Sequence, residues 1–489
     1  MTGIEPPLGS GDSVQELRRR AFTGVLAIAL RSLAIRGMGL AASVVLAREL
    51  TPTDFGLAAF GLSIVGIGAF FTAGGIGAAL IQQEREPTKL QLQAVFGFQL
   101  AVALVVAVGT FAIGAPLGQA GLIAGIMAFS LPVDVMRSAP AVMTQRELRF
   151  GPMVRAEVGE MLVYNVVAVV LVLLGAGVWS LTAAVMCRAV AGTVLLVLAT
   201  GIGVPRPRWS WGTVKPMLRF GATLQAIDFV NQFRAQGLNF TTAGVAGVSS
   251  LGYLDFTMRV LQPLLLLFDA VGRVAFPAVA GLLRAGDDPR PMLEKGLRVA
   301  FGATGLGVVT LASATPALVP SVFGPQWVPV IEIVPWCLFA LLLSSPIVTC
   351  TGAYLTAINQ VGLVLRSTIL YSIAWAAVGL ALLPSYGAVA IAIGWAVAGV
   401  VDSVYLTRAL RSRLPSVRIV HSAAPTVLIA ALVAPIGWLI ESAMGPTLLA
   451  AAAAAVSAAV LYTLLLGLVR REMVLEGWTI FRRIVLRRG

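Results

Sequence analysis

Uninterrupted apolar runs constrain this chain most: 162–174 reads LVYNVVAVVLVLL, and 446–469 carries no charged residue. A helix needs about 20 consecutive apolar residues to cross a bilayer, and a soluble helix hides only one stripe. A transmembrane barrel is excluded, because its strands alternate polar and apolar side chains over about ten positions. Of 489 residues, 58% are apolar and 12% charged, against roughly 25% charged in soluble domains. A mean hydropathy of +0.91 leaves no sizeable soluble domain. The fold class is an all-α polytopic membrane protein.

Breakers and apolar windows place spans near 22–46, 55–81, 93–115, 118–143, 157–175, 178–200, 219–240, 250–274, 297–318, 328–356, 362–383, 387–408, 424–442 and 446–469. Charge tests this map independently, because Lys and Arg collect in cytoplasmic loops. With the N-terminus inside, 28 of the 35 basic residues fall in inner segments and one, Arg48, in an outer loop. The other six, Arg31, Arg36, Arg188, Arg234, Arg259 and Arg273, lie within spans. The reading is fourteen spans in the inner membrane with both termini cytoplasmic. Its parts are a tail (1–21), an N-lobe of six spans (22–200), a linker (201–218), a C-lobe of six (219–408), a loop (409–423), a terminal pair (424–469) and a basic tail (470–489).

The same residues exclude several function classes. No metal site can be built from Cys187, Cys337, Cys350 and the single His421. None of the three lysines stands in a phosphate-cradling loop, so ATP is not the energy source. The net charge of +13 is accounted for by topology and does not call for nucleic acid. Outer loops are short and nearly uncharged, which argues against a membrane-embedded glycan polymerase or transferase, and no catalytic residue is expected.

Ionisable groups inside spans are functional candidates because burying them in lipid is costly. In the eighth span Asp255, Arg259, Gln262, Asp269 and Arg273 recur on one helical face. Gln225, Asp228, Gln232 and Asn239 do the same in the seventh, with Arg234 well off that stripe. In the first span Arg36 shares a face with Ser32 and Ser43, while Arg31 lies about 140° around the helix. These stripes line a wet cavity. A simpler reading for the eighth span is self-neutralisation, since Asp255 with Arg259 and Asp269 with Arg273 are i,i+4 pairs.

Residues 470–489 form a basic amphipathic segment suited to anionic lipid, and Ser13 with Glu16 forms a capping box ahead of the first span. An internal repeat is visible at an offset of about 196, which lays the helix start around Thr51–Phe60 on 248–257, with Phe55-Gly56 over Leu251-Gly252.

The strings RELTPTDFGL (48–57), GGIGAALIQQ (74–83), QRELRF (145–150), LGY (251–253), FP (276–277) and FGPQW (323–327) resemble polysaccharide exporters. These are Wzx-type O-antigen and exopolysaccharide flippases of the multidrug/oligosaccharidyl-lipid/polysaccharide superfamily, and the likeness covers about residues 15–410. It implies two six-helix lobes around a central cavity, alternating access, and an oligosaccharide on polyprenyl pyrophosphate as substrate. The related lipid II flippases also have fourteen spans, the last pair bordering a lipid-tail groove. On this reading Arg36 and Arg259 take the pyrophosphate from opposite lobes, and Arg31, Arg234, Gln262 and Gln232 line the same cavity. No cofactor is expected; Asp228 is the candidate coupling site for a proton or sodium gradient. Partners are membrane lipids and, at the surface, polysaccharide polymerase or chain-length proteins. A cation-coupled drug exporter of the same superfamily is the first alternative.

Overall fold

A computed structural model describes residues 37–285 and 287–471 of the chain. Among these residues every regular element is helical, as lipid requires of a backbone that must satisfy its own hydrogen bonds. In chain order the helices are α1 (37–49), α2 (Pro52–Ala73), α3 (Ile76–Gln82), α4 (Lys89–Gly114), α5 (Gln119–Ala128), α6 (Ser130–Val135), α7 (Ser138–Arg146), α8 (Phe150–Leu173) and α9 (Val178–Thr200). They continue with α10 (Trp211–Leu224), α11 (Ala226–Val245), α12 (Val248–Ala285), α13 (Arg290–Leu318), α14 (Val330–Ala357), α15 (Val361–Tyr386), α16 (Ala388–Arg411), α17 (Ile419–Val433), α18 (Ile436–Met444) and α19 (Leu448–Val469).

Ten helices among the described residues are long and apolar enough to cross a membrane, or eleven if the bent run 119–146 is one span. Each predicted window from 55–81 onward coincides with a helix or a broken helix. α11, 20 residues long, is too polar to be counted on composition alone, and α12 is 38 residues long.

Four predicted spans are broken, one of them 219–240, which is divided at Gln225 between α10 and α11. Gly74 and Gly75 both take positive φ (51° and 69°), which splits 55–81 into α2 and α3. The 118–143 window is three helices with a 46° bend ahead of α7. The 424–442 window breaks at Ala434-Pro435, where proline cannot donate back to the preceding turn. The 201–218 linker is partly helical: Val214 of α10 buries among Ile76, Leu80, Ala94, Val95 and Val142, and Trp209 and Trp211 meet Phe98.

Helix starts follow the local chemistry. Asp54 N donates to Thr51 Oγ1 (3.2 Å) while Thr51 N donates to Asp54 Oδ2 (2.9 Å), with Pro52 at the first helical position. At the other end of this hairpin Arg146 Nη1 donates to the carbonyls of Leu80, Ile81 and Gln83 (3.0, 3.2 and 2.6 Å), and Nη2 to that of Glu84 (3.1 Å). A cation thus satisfies the open C-terminus of α3.

α2 is the central element, packing on α5 of its own lobe and on α11 and α12 of the other. α15 and α16 form a hairpin against α14, and α8 and α9 form one in the N-lobe. The terminal helices α17–α19 stand on α13, where Tyr462 Oη donates to Gly302 O (3.1 Å) and Ser313 Oγ to Ala434 O (3.1 Å).

Candidate functional site between the lobes

The lobes meet along α2, and their closest approach is at the pole that holds Thr51 and Val248. A Cβ on Gly56 would lie 2.7 Å from Val248 C and 2.8 Å from its Cγ1, closer still to its carbonyl oxygen; a Cβ on Gly252 would lie 2.8 Å from Pro52 C. Pro52 precedes Gly56 by four residues, as Val248 precedes Gly252, so the two contacts are the same contact made twice about a pseudo-twofold axis. The repeat read from the sequence is thereby placed in space: its two equivalent glycines form a single helix crossing. Small residues serve this purpose in membrane interfaces because they let backbones touch.

The crossing is braced by an aromatic knot. Phe256 stacks on Trp327 (4.0 Å between centroids), and Phe55 meets Trp327 edge-on at 5.0 Å. Trp327 Nε1 and Gln326 Nε2 both donate to Ala47 O (2.8 and 2.7 Å), and Arg48 donates to the carbonyls of Val322 and Ser321 (2.8 and 3.0 Å). The strings RELTPTDFGL, LGY and FGPQW therefore converge here and build one closure. At the opposite pole a Cβ on Gly75 would lie 2.5 Å from Gly221 Cα, so α10 closes against the α2–α3 break.

Between these closures lies a cavity of about 320 Å³, lined on the N-lobe side by Ala59, Leu62 and Ser63 and on the C-lobe side by residues that include Gln236, Asn239, Asp255 and Trp375. Asn239 Nδ2 donates to Ser63 Oγ (3.0 Å) across the interface and to Gln236 Oε1 (3.3 Å). Gly66 of α2 faces the amides of Gln232 and Gln236, which a Cβ would meet at 3.0 and 3.3 Å. Uncharged amides, a hydroxyl and an indole face suit sugar hydroxyls and pyranose faces.

Arg259 adjoins this cavity through Asp255, which lines it. Its Nε donates to Asp255 Oδ2 at 2.9 Å, its guanidinium lies 5.1 Å from the Phe55 ring centroid, and Tyr164 of α8 is within electrostatic reach. A C-lobe cation therefore reaches two N-lobe aromatics while paired with its own helix. The i,i+4 pair expected from spacing is formed, and the Arg259 head is not a bare charge.

The remaining sequence candidates divide. Gln232 faces Gly66 of α2 without being among the residues that line the cavity, whereas Asn239 of the same stripe lines it. Gln262 and Asp228 are exposed. Arg234 is directed elsewhere: it lies over the rings of Tyr371 (4.9 Å) and Trp375 (4.7 Å), in an apolar groove between α11 and α15 that Phe229, Phe233 and Ile373 also line. It is not grouped with Arg259, because it projects from the flank of α11 that faces α15. Asp402, for which local pairing with Tyr405 and Arg408 is the default, instead accepts from Ser367 of α15. Arg31 and Arg36, the N-terminal capping box and the tail beyond 471 lie outside the described residues, as do the side chains of Asp269 and Arg273.

Sequence reasoning misses Gln236, Ser63, Phe55 and the capping role of Arg146. Gln236 follows Gln232 by four residues and so carries the stripe's own period. Ser63 sits in an otherwise neutral helix and has no such signal.

Comparison with known proteins agrees with this architecture. At 26% identity the chain matches the lipopolysaccharide biosynthesis protein WzxC of Escherichia coli (strain K12) over 67% of its own length and 68% of the relative's. It matches the succinoglycan biosynthesis transport protein ExoT of Rhizobium meliloti (strain 1021), also at 26%, over 65% of each chain. The chain thus spans about two thirds of the length of each. Among solved structures, the lipid II flippase MurJ in an inward closed conformation superposes with a TM-score of 0.72 at 12% identity, covering 92% of this chain and 100% of that one. An inward-facing multidrug resistance MATE transporter gives 0.55 at 16%, covering 78% and 94%. The family described as polysaccharide biosynthesis protein matches residues 45–332, more than half of the chain and both halves of the glycine crossing, and the chain belongs to that family.

Proposed function

We propose that this protein translocates a polyprenyl-pyrophosphate-linked oligosaccharide from the cytoplasmic to the outer leaflet of the inner membrane by alternating access. The observation that carries this reading is a cavity with amide, hydroxyl and carboxylate groups in its wall, lying between two separate interlobe closures, each built on apposed glycines. Two closures with a site between them are what alternating access needs: one parts while the other holds. The amides of Gln232, Gln236 and Asn239 serve the saccharide. Arg259, and Arg36 from the other lobe, serve the pyrophosphate, whose charge a guanidinium meets bidentately.

Both termini are cytoplasmic in this reading, which makes the Gly56–Gly252 pole the outer one. Reporters fused after Pro205 and after Arg488 then read inside and one near Gly247 outside. The driving force is a proton or sodium gradient, with Asp228 as the coupling carboxylate. Deletion should accumulate a lipid-linked oligosaccharide on the inner leaflet, and Asp228→Asn should slow flipping in liposomes to the rate seen without a gradient. Normal surface polysaccharide in the deletion strain refutes the function; an outside signal at Pro205 refutes the orientation; full activity of Asp228→Asn refutes the coupling site.

A further inference from the structure

A cavity of about 840 Å³ lies away from the lobe interface, where the end of α16, the start of α17 and the end of α19 meet. Its lining includes the basic Arg411 and Arg418, His421, and the apolar Val420, Leu428 and Val469. Arg470, the residue after α19, donates from Nη2 to His421 O (3.4 Å) and meets the imidazole as well, adding a cation beside the cavity. Among the described residues no carboxylate pairs with the side chain of Arg411, Arg418 or Arg470. The nearby acids are engaged: Glu294 Oε1 accepts from Arg418 N (3.1 Å), and Asp288 is bound by Arg290, which also reaches Ser416 Oγ (3.2 Å). The apolar side is equally unsatisfied, with Val420, Leu428 and Val469 between 58% and 65% exposed.

We propose that this groove binds the phosphodiester headgroup of an anionic membrane phospholipid, with its acyl chains lying along Leu428 and Val469. The argument is one of matched halves. Arg411 and Arg418 line the cavity and Arg470 adjoins it through His421, at the ends of membrane helices, and basic pockets at this level attract anionic headgroups. The apolar wall lies on the lipid-facing side of α17 and α19, where a soluble anion would leave it uncovered. The phosphodiester is met by guanidinium forks at Arg411 and Arg418. The site lies where the last helix of the C-lobe meets the terminal helices.

The test uses the full chain in phosphatidylcholine nanodiscs doped with a phosphatidylglycerol analogue carrying a photoreactive group near its headgroup. Crosslinks are expected in peptides spanning 411–428. They should fall roughly tenfold in Arg411→Gln/Arg418→Gln, recover in Arg411→Lys/Arg418→Lys, and stay unchanged in Arg149→Gln, which lies on the N-lobe. No crosslinking in 411–428 of the unmodified chain overturns the proposal, as does equal labelling by a phosphatidylcholine analogue. Displacement by millimolar inorganic phosphate would reassign the groove to a soluble anion, and displacement by equimolar polyprenyl pyrophosphate would reassign it to the transported lipid; either result overturns the phospholipid assignment.

Discussion

Replacing Gly56 with alanine inserts a methyl group where the two lobes touch backbone to backbone. The new Cβ would lie 2.8 Å from Val248 Cγ1 and 2.7 Å from Val248 C, whereas unstrained carbon pairs sit at about 3.5–4.0 Å. A rotamer change at Val248 can move Cγ1 but not its carbonyl, so α2 and α12 must part by roughly 1 Å, and overpacking of this kind costs about 1–3 kcal/mol. Alanine also favours the helix over glycine by about 1 kcal/mol, but that gain acts whether the lobes are closed or parted and cancels from the equilibrium between them. A penalty of about 2 kcal/mol confined to the closed pole shifts the balance toward the parted form roughly thirtyfold. The assay is the rate at which a membrane-impermeant maleimide, added on the side Thr51 faces, labels Met258→Cys in the cavity wall. Labelling should rise at least tenfold in Gly56→Ala and by a similar factor in Gly252→Ala, because the pseudo-twofold axis makes their contacts equivalent. Gly109→Ala on α4, with nothing within 4 Å of its Cβ, is the control and should leave the rate unchanged. A change below threefold, an effect at only one of the two glycines, or an equal effect at Gly109 would refute the reasoning.

Two further outcomes follow from the same geometry. Arg259→Ala leaves the Asp255 carboxylate without its 2.9 Å partner and should lower the yield of folded protein, while Asp255→Ala/Arg259→Ala should restore the yield; export measured in a deletion strain then separates the roles, since recovered transport in the double variant makes Arg259 structural and persistent loss makes it a substrate ligand. Arg146→Ala removes four donated bonds from the C-terminus of α3 and should cost roughly 2–3 kcal/mol, read as a lower melting temperature in detergent, with Arg146→Lys recovering part of it; an unchanged melting temperature contradicts the capping role.

The helical class and the places of most apolar windows were legible because each depends on a stretch of neighbouring residues. Twenty apolar side chains in lipid admit only a helix, whatever surrounds them. The helix start at Thr51 and the i,i+4 pairing of Asp255 with Arg259 were legible for the same reason, being satisfied within one turn or one helix face. Even the repeat left a trace, though only as Phe-Gly over Leu-Gly.

The tertiary structure decided everything that depends on how α2 crosses α12. Gly56 and Gly252 are unremarkable along the chain; they become a shared contact only once the crossing puts each helix's backbone against the other. Arg234 and Arg259 look alike as lone basic residues in polar spans. One lies under an aromatic pair on the flank of α11 and the other over Phe55 at the lobe interface, because neighbouring helices occupy different sides of each. Arg146 reads as a loop charge until α7 folds beneath α3 and gives it four carbonyls. Hydrophobicity and charge along a sequence fix what enters the membrane and which end stays in water. The direction in which a side chain finds its partner is set by packing between helices far apart in sequence, and no local pattern encodes it.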